Sequence, residues 1–343
     1  MFEIMNSPTT RFQRLQPLSI EQQVYIALAA LRFFQPMQYE ENCQKLGRSP
    51  KQYSTQPFSG MDFIGFLAVP DEIPFGVLDN PERHLQRINE LLCRLSRARL
   101  LNNLGSGRSP LVGESYYTLY MATNYERQGI LYLARALGPE FLPWVYRRGT
   151  YQITGITADG DAHAGTAIAI APRWLMTCAH VLQDMELNEK QIDSHGRDYR
   201  VVDKLPHSDV DVGLIKVDID LDVVQGLNFR DPHVGERVYT FGFPRVPLSR
   251  EAILVLQGGE VSVEQMTSLH GHELFLFSAI ARPGNSGGAI ISENGHVVGI
   301  VSRELSERDS NDHPFHAGIP TAILARAINE LNCGVNIPVE SWE

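Results

Sequence analysis

From Ile20 to Phe34 the apolar positions of IEQQVYIALAALRFF recur three and four residues apart, and the same spacing returns between Pro81 and Leu101 through Leu85, Ile88, Leu91, Leu92 and Leu95. That period lays one apolar stripe along a helix, so both segments are predicted to be amphipathic helices. Asn80 ahead of Pro81 is expected to cap the second one, with the proline presetting its first turn. Residues 44–80 are rich in Gly, Pro, Ser and Gln without a sustained period, which predicts loops with room for one short helix. LLNNLGSGRSPLVGESYYTLY, from Leu100, sets two apolar runs about a Gly, Ser and Pro tip and predicts a hairpin. A third helix is predicted over Asn124 to Leu137.

Past Trp144 the pattern changes to short β-branched runs between turn-forming residues. These are Thr150 to Ile156, Gly165 to Ile170, Val210 to Val217, Arg237 to Phe243, Glu273 to Ala279 and His296 to Val301. They predict an all-β domain, closed or sandwiched. One late helix, Thr321 to Leu331, turns Ile323, Leu324, Ala327, Ile328 and Leu331 to one side. The fold class is therefore multi-domain α+β: a mainly helical N-terminal domain over 1–142 and a β-rich domain over 146–335 with a C-terminal helix. In the first, helices followed by a hairpin, with Arg83, Arg87, Arg94, Arg97 and Arg99 on the preceding helix, loosely resemble a winged-helix domain. The plainer account of those arginines is a solvated face opposite the leucines.

Composition adds a contrast between the two parts. Residues 1–150 hold 16 Lys and Arg against 13 Asp and Glu, and the remainder 14 against 27, within a net charge of -10. So small a positive excess favours protein docking over nucleic-acid reading for the first part. Four cysteines without CxxC spacing do not make a disulfide framework, and the first 20 residues lack the apolar run of a signal peptide, so a cytoplasmic location is expected. The apolar stretch from Val24 to Phe34 contains Arg32 and is far shorter than a membrane span. With no P-loop and no recognisable metal-ligand spacing, neither a nucleotide nor a metal cofactor is implied.

The strongest chemical signal is RPGNSGGAI, Arg282 to Ile290, a serine among three glycines ahead of apolar strand residues. A nucleophilic serine needs a tight turn whose amides face the developing oxyanion, which makes the amides of Gly284 and Ser286 oxyanion-hole candidates. It also needs a base, and the base a carboxylate to orient it. His180 follows a strand-like WLMT, and Asp211 stands at the mouth of an alternating apolar strand with Asp209 as its competitor.

TCAH, DVGLIKV and GNSGG, in that order, are similar to the three signature blocks of the trypsin-like serine peptidases, and most of all to their HtrA/Deg branch. HAGTAIAIAP, FGFP and GHVVGIVSRE match supporting blocks, over about residues 146–335. The resemblance implies a chymotrypsin-type double β-barrel with His180, Asp211 and Ser286 as the catalytic triad, and it selects Asp211 over Asp209. Val181 and Asn285 stand where secreted relatives carry a disulfide cysteine and an activating aspartate, so activation by N-terminal insertion is not expected. Too few residues follow the last helix for a PDZ module, which leaves regulation to the N-terminal domain.

The same resemblance puts Ile280 at the base of the primary specificity pocket, favouring a medium apolar residue before the scissile bond. It puts Ser302, Arg303 and Glu304 where substrate pairs as an added strand. The expected function is a serine endopeptidase acting on protein or peptide substrate and recruited or restrained by a protein partner on its N-terminal domain. The rival expectation is a winged-helix regulator or adaptor that binds DNA or a partner protein and uses the protease fold as scaffold or self-cleaving switch.

Overall fold

A computed structural model describes residues 17–51, 57–74, 77–106, 113–193, 195–302 and 316–340. The chain divides into two compact units, Met1–Ala122 with Arg135–Glu140 and Thr123–Ala134 with Phe141–Glu343.

In the first unit, α1 (Ile20–Phe33) lies where the spacing predicts it, opened by a capping box in which Ser19 and Gln22 satisfy each other's backbone amides. α2 (Tyr39–Lys45), β1 (Phe58–Ser59) and α3 (Gly60–Leu67) follow, the last being the short helix allowed for between 44 and 80. α4 (Leu85–Arg97) buries Ile88, Leu91, Leu92 and Leu95 as expected. Its start differs from the prediction. Asn80 adopts a left-handed backbone (φ 49°) and makes no side-chain cap, and Pro81–His84 is a 3-10 turn, so α4 begins at Leu85. A left-handed residue cannot aim its side chain along a helix axis as an N-cap does.

The predicted hairpin is β2 (Asn102–Ser106) with β3 (Glu114–Tyr117), and its tip lies outside the described residues. β1 pairs with β3, giving a sheet of order β1-β3-β2. The core is aromatic: Phe33 sits 4.6 to 5.5 Å, ring to ring, from Phe34, Phe58, Phe63 and Phe66.

The predicted helix over 124–137 does not form as one element. Two 3-10 turns, Glu126–Gln128 and Leu131–Leu133, precede the short α5 (Ala134–Leu137) and then α6 (Phe141–Tyr146). Gly129 breaks the run because it is extended and packs so closely that a Cβ would lie 2.2 Å from the carbonyl oxygen of Gln225. That contact joins residues far apart in the chain, and periodicity cannot anticipate it.

The second unit holds two antiparallel sheets. The first comprises β4 (Thr150–Thr157), β5 (Ala162–Ala171), β6 (Trp174–Thr177), β7 (Met185–Leu187), β8 (Lys190–Ile192), β9 (Asp198–Pro206) and β10 (Gly213–Val217), in the order β7-β4-β5-β6-β10-β9-β8. The short α7 (Ala179–Gln183) leaves the end of β6. The gap between β8 and β4 is bridged by one buried side chain. Gln191 Oε1 accepts the Thr154 amide and Nε2 donates to the Thr154 carbonyl, each at 2.9 Å, so a side-chain amide completes the ring as a backbone would.

The second sheet closes entirely through backbone pairing, in the order β11-β12-β13-β16-β15-β14. Its strands are β11 (Arg237–Gly242), β12 (Val255–Thr267), β13 (Glu273–Phe277), β14 (Ala289–Ser292), β15 (Val297–Ser302) and β16 (His316–Pro320). Val238, Val261, Phe275, Phe277, Ile290 and Val298 form the centre of its core. α8 (Thr321–Glu330) follows, with Ile323, Leu324, Ala327 and Ile328 buried as the pattern requires.

Candidate active site

β6 ends at Thr177 and α7 begins two residues later, so His180 stands on the first turn of a short helix at the rim of the first sheet. β10 begins at Gly213, not at Val210, because the His207 amide donates to the Val212 carbonyl and closes a hairpin around residues 207–212. Asp211 leaves that hairpin toward His180. The imidazole Nδ1 lies 2.9 and 2.8 Å from the two carboxylate oxygens, and the His180 amide donates to Oδ1 at 3.0 Å. With Nδ1–H donating to a carboxylate, Nε2 is left as the acceptor that a general base needs. Asp209 is exposed, its carboxylate accepts from Ser208, and it is Asp211 that meets the His180 ring.

Asp211 has a further donor: Ser302 Oγ lies 2.9 Å from Oδ2. Burial pushes the Asp211 carboxyl up, but the hydrogen bonds and charge of His180, with the Ser302 bond, outweigh it and hold the group below the ordinary carboxylate range. Ser302, expected on resemblance to pair with substrate, is 8% exposed and directs its hydroxyl at the acid. Arg303 and Glu304 lie outside the described residues.

Ser286 is half-buried on a tight turn running from Pro283 to Gly288. The amides of Asn285, Gly287 and Gly288 are consumed by Arg282, Val301 and Asn285 carbonyls, whereas among the described residues those of Gly284 and Ser286 donate to no protein acceptor. Two unspent amides flanking a serine are what an oxyanion needs. Gly284 has φ +100° and Gly287 φ +79°, and a Cβ would fall 2.5 Å from the Phe243 carbonyl oxygen at the first and 2.2 Å from Thr177 Oγ1 at the second. Both positions exclude a side chain by backbone angle and by space. Among the described residues the bonds of the His180 ring run to Asp211 and none to Ser286 Oγ. In sites without substrate that bond is often long and tightens on binding.

Thr166 of β5, wholly buried, ties the turn to the first sheet. Its Oγ1 donates to the Gly284 carbonyl at 2.6 Å and accepts the Phe243 amide at 2.9 Å, while its own amide donates to the Ser286 carbonyl at 3.0 Å. Nothing in the local sequence marks that role, since the nearest of the three partners along the chain is 77 residues away. Ile280 is 46% exposed and its carbonyl accepts from Thr240 at 3.4 Å, leaving an apolar side chain open to a ligand.

Donor atoms of Cys178, His180 and Asp211 all lie within 4.8 Å of one another, a grouping that could in principle hold a cation. Each is already engaged: Cys178 Sγ is fully buried and donates to the Val301 carbonyl at 3.1 Å, and the other two bind each other.

Residues 165–300 match the family model described as a trypsin-like peptidase domain. Over 183 residues, half of this chain, it is 28% identical to a putative mitochondrial Do-like protease of Arabidopsis thaliana, of which the match covers 35%. The chain thus spans about a third of the length of that relative. Among solved structures it resembles a serine endoprotease from Yersinia pestis (19% identity, 62% of this chain and 68% of that one, TM-score 0.44). It also resembles the HtrA-type protease AlgW with tripeptide (18% identity, 56% and 61%, TM-score 0.45).

Proposed function

We propose that the chain is a serine endopeptidase in which Ser286 attacks the peptide carbonyl, His180 is the base and Asp211 orients it. The observation that carries this reading is the conjunction of a carboxylate-held imidazole with a serine turn that has two unspent amides and is tied by Thr166 to the sheet carrying that imidazole. His180 Nε2 takes the Ser286 proton as Oγ bonds to the carbonyl carbon, and the amides of Gly284 and Ser286 receive the oxyanion. Collapse of the tetrahedral adduct breaks the C–N bond, and the imidazolium returns its proton to the leaving amine. Water then repeats the sequence on the acyl-enzyme and releases Ser286. The exposed apolar side chain of Ile280 supports a preference for a medium apolar residue before the scissile bond in an extended protein or peptide substrate.

The first unit is read as a winged-helix-like domain that recruits or restrains the protease through a protein partner. Its element order, helix, helix, strand, helix, helix, two strands, and its three-stranded sheet support that reading. Against nucleic-acid reading stand the bonds of its arginines: Arg87 pairs with Glu90, and Arg94 is turned inward to Gln23 and the Leu137 carbonyl. A reducing, cytoplasmic setting is supported by the four cysteines, which stand outside any disulfide, two of them buried. Among the described residues no helix is long and apolar enough to cross a membrane.

Intact-mass analysis after treatment with a fluorophosphonate probe tests the enzyme reading. A single adduct on the wild type that is lost in Ser286→Ala and His180→Ala is expected; an adduct that survives Ser286→Ala overturns it.

A further inference from the structure

The hairpin that presents Asp211 is held by a second histidine–carboxylate pair. His207, at its start, is 6% exposed. Its Nδ1 accepts the amides of Asp209 and Val210, each at 3.1 Å, and its Nε2 lies 2.9 Å from Oε2 of Glu330, the last residue of α8. A ring nitrogen that accepts two amide protons carries none of its own. The single ring proton therefore sits on Nε2 and is donated to Glu330.

The surroundings explain why the hairpin needs such a brace. One flank of residues 208–211 borders a cavity of about 410 Å³ whose other walls include His270, Glu273 and Arg326, so packing does not fix the loop on that side. What fixes it is polar. The Val210 amide is held by His207, and Val212 is bonded through its amide to the Val210 carbonyl and through its carbonyl to the His207 amide. Asp211 is the residue between those two anchors, and its carboxylate must meet His180 within tenths of an ångström.

We infer that His207, as the neutral Nε2–H tautomer bonded to Glu330, is a positioning residue that sets the backbone from which Asp211 reaches His180. The inference rests on the triad reading above and extends it to a residue that never meets substrate. Nδ1 does here what the side-chain oxygen of an Asx turn does, accepting amides two and three residues on. An asparagine can take over that role. A glutamine keeps a donor for Glu330 but places no acceptor where Nδ1 stands.

The test compares fluorophosphonate labelling rates and peptide hydrolysis for wild type, His207→Gln and His207→Asn, with thermal unfolding as the control for folding. Labelling and kcat are expected to fall on the order of 10²-fold in His207→Gln with little change in KM, and to recover to within a few-fold of wild type in His207→Asn. A folded His207→Gln that labels and turns over at the wild-type rate overturns the role of His207 and leaves the triad reading standing. A wild type that shows no adduct at Ser286 removes the triad reading and this inference with it. Imidazole 15N shifts of the unsubstituted protein give a readout that needs no variant to fold: a proton on Nε2 of His207 is expected, and one on Nδ1 overturns the inference.

Discussion

The two sheets of the second unit reach closure by different means, and the candidate site is divided between them. The sheet carrying Ser286 is closed by unbroken backbone pairing around a core of Phe and branched aliphatic residues. The sheet carrying His180 and Asp211 runs from β7 to β8 and is completed across the gap by the Gln191 side chain. The proposed nucleophile, Ser286, and the amides proposed to receive the oxyanion thus stand on the mechanically simpler sheet. His180 and Asp211, the proposed base and its orienting carboxylate, stand on one whose rim is pinned by individual side chains, Gln191 at the seam and His207 and Ser302 around Asp211. Precision on one side comes from packing, and on the other from hydrogen bonds that are costly to leave half made.

The sharpest ways to break this comparison act on the site itself. Ser286→Ala is expected to abolish turnover and labelling, and Asp211→Asn to lower kcat on the order of 10⁴-fold through the wrong histidine tautomer, both read from hydrolysis of an unfolded protein substrate. Thr166→Val removes the hydroxyl that couples the sheets and leaves the Phe243 amide and Gly284 carbonyl without it. A kcat loss of about 10²-fold is expected, within the range for a damaged oxyanion hole, with a stability loss of about 1–3 kcal/mol measured by urea unfolding.

Gln191→Glu tests the seam alone. A carboxylate still accepts the Thr154 amide but cannot donate to the Thr154 and Asn188 carbonyls, and its buried charge stands against both of those oxygens. About 1–3 kcal/mol of stability is expected to be lost, with amide exchange accelerating in β4 and β8 before β11 to β16. An equal acceleration in both sheets would show that closure does not distinguish them. The smallest effect concerns pH. Because the folded Asp211 carboxyl lies below its unfolded value, its contribution is fully present above about pH 4 and is lost only as pH falls through the lower folded value. The stability advantage of wild type over Asp211→Asn is therefore expected to shrink as pH falls below about 4, read from urea unfolding.

Much of this was legible along the chain wherever the cause is local. α1, α4 and α8 carry their apolar stripes within one element, and the serine turn announces itself because Gly284 and Gly287 answer a steric need that adjacent residues share. The helix expected over 124–137 is interrupted where Gly129 meets Gln225, and Asn80 loses its capping role to a left-handed turn. β12 carries Gly258, Gly259 and charged residues and has little strand character by composition, yet it runs for 13 residues, pairing with β11 through Val255–Glu260 and with β13 through Val261–Thr267. Thr166 and Gln191 look like ordinary strand polar residues until the partners appear, 118 and 37 residues away.

By itself, then, the order of residues determined which segments become helices and strands and which three short blocks can supply nucleophile, base and acid, because periodicity and turn chemistry act over a few residues. Only the tertiary structure decided that Ser302 spends its hydroxyl on Asp211, and that His207 and Gln191 brace the sheet beneath it. Those choices depend on which buried donors and acceptors come within 3 Å once distant strands have paired, and a hydrogen bond of that reach leaves no period in the sequence.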